Sequence, residues 1–265
     1  MDTLRSDPGW HAIGRGPVAR ARGETPITAM SSLLNDVKKS PELSRAVPFI
    51  VFLLLTSAKD WLGPAGGYWI YLAKTLVGAW MLWEVRGVIS EMKWAFSWEA
   101  VVVGIAVTVM WVGIDPFYPG QDVLMYKLGL GKDPAKNPVP EWNPFVQFGA
   151  GSLLAWFFVV VRTAGSSLIV PPLEEVFYRS FVYRYLISPE FEKVPLNRFH
   201  PVSLAITCLI FAFTHQQWLA GILCGLAYQW LVFRKNRLGD AMTAHAITNF
   251  LLALWVVGRG DWKFW

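Results

Sequence analysis

Glu174 and Glu175 stand side by side, with Arg179 four positions beyond Glu175; His215 follows, and then His245 and Asn249, again four apart. A carboxylate that takes a proton from water, beside an imidazole that orients that water, generates a nucleophile. Imidazole and carboxamide N–H groups aimed at one point can hold a developing oxyanion. Glu174 with His215 could supply the first function and His245 with Asn249 the second. Together they suit hydrolysis of an amide bond. Residues four apart on a helix share a face, so Glu175 and Arg179 can form an ion pair there as supporting residues. Glu174 is rotated by about 100° from Glu175 and has no such partner within its helix.

The segments that carry these groups are apolar. The chain of 265 residues is 54% hydrophobic, 15% aromatic and only 16% charged, with fifteen tryptophans. Soluble domains carry about 25% charged residues, and tryptophan is enriched at membrane interfaces. Eight candidate helices fall near 46–60, 67–85, 98–114, 146–165, 169–187, 201–214, 217–233 and 240–257. The expected fold is therefore all-α, a polytopic membrane bundle of about eight transmembrane helices around a polar intramembrane cavity. Pro171-Pro172 reads as the start of the fifth helix, which would put both glutamates in a first turn, where the helix dipole favours negative charge. His215 follows a short sixth helix, and Asn249 lies about 15 Å into the eighth, so the three motifs can converge. Ionisable side chains at membrane depth are costly and mark a functional interior by default.

Residues 1–44 form a tail without a span, and its Gly-, Pro- and Arg-containing stretch up to Met30 reads as disordered or weakly structured. Ser31-Ser32-Leu33-Leu34-Asn35-Asp36 reads as a capped amphipathic helix, so that either Met1 or Met30 can be the natural start. A single transmembrane domain is expected over 45–260, with the motifs inside 165–257. In the connection 115–145, Val123 to Leu130 suits a short interfacial helix. Cys208 and Cys224 lie in apolar runs without metal-ligand spacing and read as packing residues. The net charge of +5 needs no nucleic acid, since anionic headgroups attract basic loops and membrane lipids are the expected partners. Lys and Arg flanking the spans, with Arg162 counted among them, balance on the two sides and leave the orientation open.

Each motif alone has an ordinary explanation: a solvated charge cluster, an interfacial histidine, hydrogen bonding between helices. Their order on consecutive apolar helices favours a common site. Its residues also suit a proton relay in a coupled transporter or a non-catalytic scaffold that binds a hydrophobic partner. Glu174, His215 and His245 could alternatively ligate zinc with an open position. The compact His-Glu-x-x-His arrangement is absent and Asn249 is a poor zinc ligand, so no metal or other cofactor is expected.

The pattern Glu-Glu-x-x-x-Arg, Phe-x-x-x-His and His-x-x-x-Asn, present as Glu174, Glu175, Arg179, Phe211, His215, His245 and Asn249, resembles the CPBP family of intramembrane proteases. That family includes CAAX prenyl endopeptidases and bacteriocin-immunity (Abi) proteins. The resemblance covers roughly 165–257. It implies an eight-helix bundle with a polar cavity, Glu174 as base, His245 and Asn249 at the oxyanion, and a membrane-associated, hydrophobic or lipidated peptide as substrate. The earlier Arg45-Ala46-Val47-Pro48-Phe49 more loosely resembles a prokaryotic branch, the CAAX prenyl protease-related proteins. That branch points to the inner membrane of a prokaryote and to a link with exosortase systems.

Overall fold

The computed structural model describes residues 26–58, 63, 65–138 and 141–265. The expected disordered stretch runs to Met30: residues 1–25 of it, with Met1 as one possible start, lie outside the described residues, while residues 26–30 are helical and that part of the expectation is corrected. The chain divides into two units at Asn35, and residues 36–265 form the larger. Helix α1 (Pro26–Lys39) contains Met30 and the stretch read as amphipathic. The described residues contain ten helices, several short turns of other helix types and the connections between them, and no strand.

The remaining helices are α2 (Pro41–Ser57), α3 (Gly66–Val85), α4 (Trp98–Ile114), α5 (Gln121–Lys127), α6 (Pro144–Phe148), α7 (Leu153–Tyr185), α8 (Pro201–Ala212), α9 (Trp218–Lys235) and α10 (Gly239–Arg259). Their ends follow from local chemistry. The hydroxyls of Ser40, Ser97 and Ser152 accept the first free N–H groups of α2, α4 and α7. His200 caps α8 through Nδ1, which accepts from the Ser203 N–H at 3.2 Å, and Pro201 takes the first helical position. Asn236 and Gly260, at φ of +50° and +68°, end α9 and α10 in the left-handed region. The short helix expected near Val123 to Leu130 is α5.

A second expectation is corrected. The fourth and fifth helices are a single continuous helix, α7, 33 residues long. Pro171 and Pro172 do not begin a helix but sit in its middle, between π-helical turns at Gly165–Ile169 and Val176–Val182. A proline lacks the N–H and crowds the carbonyl four residues back; a widened turn on each side lets the helix run through the pair. The two glutamates are thus mid-helix, and the helix-end dipole argument does not apply to them.

Among the described residues, three stretches are long and apolar enough to cross a membrane, by length and composition: Trp98–Lys127, Leu153–Tyr185 and Gly239–Arg259. Their outward faces stay apolar, with Val102, Ile105 and Val109 exposed on α4 and Leu154, Phe157 and Val160 on α7. Contiguous exposed apolar rows at helical spacing suit lipid rather than water. Inside, α10 packs on α4 where a side chain at Gly104 would meet the Ala244 carbonyl and Ile247 at 2.8 Å. Gly221 and Gly225 of α9 likewise bring that helix against Ala212 and Cys208 of α8, a small-residue contact one turn apart. Both cysteines are free and buried, as packing residues should be.

Candidate active site

The π-helical turns of α7 bracket the residues Val170–Glu175, and widened turns of this kind recur at functional sites. The two glutamates end up in different environments. Glu175 is 0% exposed and accepts from Arg179 Nη1 at 3.2 Å, as the spacing of the two residues implied. Arg179 is itself held over the Phe211 ring at 4.5 Å. Glu174 is 9% exposed, and its buried Oε2 has no hydrogen-bond partner among the described residues.

His215 lies just past the end of α8. Its Nδ1 meets the Phe211 carbonyl at 2.8 Å, so Nδ1 carries the proton and Nε2 is the free acceptor. Phe211 therefore earns its place in the motif twice, under Arg179 and as the carbonyl that sets the His215 tautomer. His245, on α10, points Nδ1 at Glu175 Oε1 across 2.9 Å. That contact joins the carboxylate of α7 to α10, and it extends the role expected of Glu175: besides pairing with Arg179, it orients His245. With Nδ1 donating to a carboxylate, Nε2 is a donor only when both ring nitrogens carry a proton. Tyr228 stacks on the His245 ring at 5.1 Å and donates to Thr248 Oγ1 at 2.8 Å. Asn249 donates one amide hydrogen to the Ser166 carbonyl at 2.8 Å, which fixes its plane.

Glu174, His215, His245 and Asn249 all line one pocket of about 300 Å³, whereas Glu175 and Arg179 are not on its wall. Other lining residues were not singled out from the sequence. Trp111 of α4 meets the His215 ring edge-on at 5.5 Å, and its buried indole N–H has no partner among the described residues. Tyr71 and Lys74 of α3 and Arg162 of α7 also face the pocket. Lys74 and Arg162 each interrupt an apolar helix, a signal available in the sequence; Arg162 belongs to the pocket wall and not to the charges that flank the spans.

Among the described residues, no group of three or more His, Cys, Asp or Glu side chains is arranged to hold a metal ion. The alternative ligand set Glu174, His215 and His245 does not gather as one, and no step below is routed through a metal.

Residues 152–251 match a family model, that of the Rce1-like type II CAAX prenyl endopeptidases. The matched stretch begins at the cap of α7, ends within α10 and contains all seven motif residues. The chain thus carries a CAAX endopeptidase domain of the Rce1-like (CPBP) type, a peptidase family. Comparison with curated proteins and with solved structures returns no match.

Proposed function

We propose that this protein is a membrane-embedded endopeptidase that hydrolyses a peptide bond in a membrane-associated protein or in a hydrophobic or lipidated C-terminal peptide. The observation that carries the reading is the buried, unpartnered Oε2 of Glu174 on the wall shared by His215, His245 and Asn249. In the reaction, a water held between Glu174 and His215 Nε2 attacks the scissile carbonyl carbon while its proton passes to the Glu174 carboxylate. The resulting oxyanion accepts from His245 and Asn249. Collapse of the intermediate breaks the C–N bond, and the proton on Glu174 goes to the leaving amine. Atoms and charge balance with water as the only co-reactant. Glu175 and Arg179 hold the α7 turn and the His245 ring.

The donor chemistry supports a metal-free mechanism, because Asn249 suits an oxyanion better than it suits zinc. The exposed apolar faces of α4 and α7 support an integral membrane location with lipid as the surrounding partner. The resemblance of Arg45 to Phe49 to the prokaryotic branch supports a prokaryotic cell membrane and a link with exosortase systems.

The test is cleavage of hydrophobic peptides, with and without a prenylated cysteine, by detergent-purified protein. Wild type is expected to cut and Glu174→Ala not to, with strong chelators leaving the wild-type rate unchanged. Solute flux without cleavage would replace this reading by a transporter, and a partner-binding function untouched by Glu174→Gln would replace it by a scaffold. Loss of activity on chelation, restored by zinc, would pass water activation from Glu174 to the ion.

A further inference from the structure

The arginines buried in the bundle are paired: Arg45 and Arg184 with Glu91, Arg179 with Glu175. Arg162 is not. It lines the pocket, and its guanidinium lies 4.9 Å from the centre of the Tyr71 ring, 4.5 Å from that of Trp142 and 5.5 Å from that of Trp265. None of its side-chain N–H groups donates to a described residue, and no described carboxylate lies within ion-pair distance. Three aromatic faces hold a cation in place without neutralising it. A fixed, planar guanidinium with free N–H groups at a pocket wall is a receptor for a carboxylate, which it can bind through two parallel hydrogen bonds.

The pocket itself supplies the geometry. Arg162 precedes Glu174 on the same helix by twelve residues, about 18 Å at 1.5 Å per residue. An extended peptide covers about 3.3–3.6 Å per residue, so that span corresponds to about five residues, fewer by whatever the arginine side chain reaches. Phe52, Leu53 and Val170 also line the pocket and offer apolar contacts to the intervening side chains.

We infer that Arg162 is the substrate's anchor: it binds the α-carboxylate of a peptide whose bond to be cut lies at Glu174, within about five residues of the free C-terminus. The inference rests on the peptidase reading above and adds to it the residue that measures the cut from the chain end.

The experiment uses the full-length protein in detergent and a set of hydrophobic peptides that wild type cleaves. Each peptide is made with a free and with an amidated C-terminus, and a second set is lengthened at the C-terminus by one residue at a time. Wild type is expected to prefer the free acid in kcat/KM by on the order of 10²-fold, the scale on which losing one partner of a buried charge pair is felt. In lengthened peptides the cut should move with the end, keeping its distance from the carboxylate. In Arg162→Gln the acid-to-amide ratio should fall close to one, and Arg162→Lys should restore part of it. Equal cleavage of acid and amide by wild type, or a cut that stays with the N-terminal sequence, overturns the anchor and leaves the peptidase reading standing. A loss in Arg162→Gln that is equal for acid and amide makes the residue structural and also overturns it. If Arg162→Gln does not fold, Arg162→Met, which keeps the packing of the side-chain stem, is read for the same ratio, and a ratio undiminished from wild type overturns the anchor. Repeating the assay in phosphatidylcholine and in phosphatidylglycerol vesicles separates the other source of anions. Slowing by phosphatidylglycerol that Arg162→Gln abolishes, with no acid preference, assigns the site to a lipid phosphate instead. Absence of cleavage of every peptide by wild type removes the peptidase reading and the anchor with it.

Discussion

At the C-terminal end of α7, Glu91 receives Arg45 Nε at 2.8 Å, Arg184 Nη2 at 2.8 Å and the Ser180 hydroxyl, while Arg184 Nε also donates to the Ser180 carbonyl at 2.5 Å. In the middle of the same helix Glu174 Oε2 receives nothing from any described residue. Both are carboxylates packed against apolar helices. The first has all its demands met by the protein and so ties α2, the 86–97 connection and α7 together. The second is left for a group that arrives from outside. Glu175 stands between these extremes: its Oε1 pairs with Arg179 and holds a histidine that faces the pocket, while its Oε2, like that of Glu174, has no partner among the described residues but lies off the pocket wall. A carboxylate paired with an arginine builds the frame, and one that lines the pocket with neither an ion pair nor a hydrogen bond is available to react; sequence position alone does not separate them.

The comparison can be pressed at its strongest point by removing Arg179. Breaking a buried ion pair by deleting one partner costs about 3–5 kcal/mol, so Arg179→Ala should lower yield and shift thermal unfolding in detergent markedly, and Glu175→Ala should do the same. Asn249→Ala removes an oxyanion donor and is expected to lower kcat by about 10²–10³-fold. Its stability cost should stay near the ~1 kcal/mol of one hydrogen bond to Ser166, and parallel turnover and melting measurements separate the two effects. Acid probes the satisfied cluster. Burial alone would raise the Glu91 carboxyl, but the hydrogen bonds from Arg45 and Ser180 and the charge of Arg45 outweigh it and hold it at about 2, below the ordinary 4.5. The unfolded chain therefore takes up this proton first. The stabilisation, on the order of 3 kcal/mol, is complete above about pH 4.5 and is lost as pH falls toward 2. Unfolding against pH should show that slope, and Glu91→Gln should flatten it. Gly239 probes the connection that carries Glu91, since a methyl group there would run into the Lys93 carbonyl and the Ala95 backbone nitrogen, and backbone does not give way cheaply. Gly239→Ala should cost at least the upper end of the about 1–3 kcal/mol usual for overpacking, read as a drop in melting temperature, with a smaller change in turnover than Asn249→Ala.

Much of this was legible in the amino-acid sequence, and the failures have physical causes. The apolar run at 98–114 coincides with α4, because a lipid-facing helix shows its whole length as hydrophobic residues. Glu174, His215, His245 and Asn249 stood out because polar groups are rare on such helices, and they line one pocket. The Glu175–Arg179 pair was readable because it is local. The bond from His245 to Glu175 was not, since it joins residues 70 positions apart. The continuity of α7 was hidden because Pro171-Pro172 is a genuine helix-start signal and π-helical turns leave no mark in a sequence. Arg162 was misplaced for a related reason: it lies near the expected end of a helix that in fact continues. The role of Arg45 in clamping Glu91 also needed the fold, although the motif that begins at Arg45 had already drawn notice.

The division between reacting and supporting carboxylates is tested most directly by two isosteric variants measured side by side. Glu174→Gln and Glu175→Gln should be read for peptide cleavage and for melting in one detergent, against wild type. Glu174→Gln is expected to melt with wild type and show no cleavage above background. Glu175→Gln should melt lower, since it gives up charge toward both Arg179 and His245. Cleavage at the wild-type rate by Glu174→Gln, or equal losses of stability in the two variants, would contradict the account.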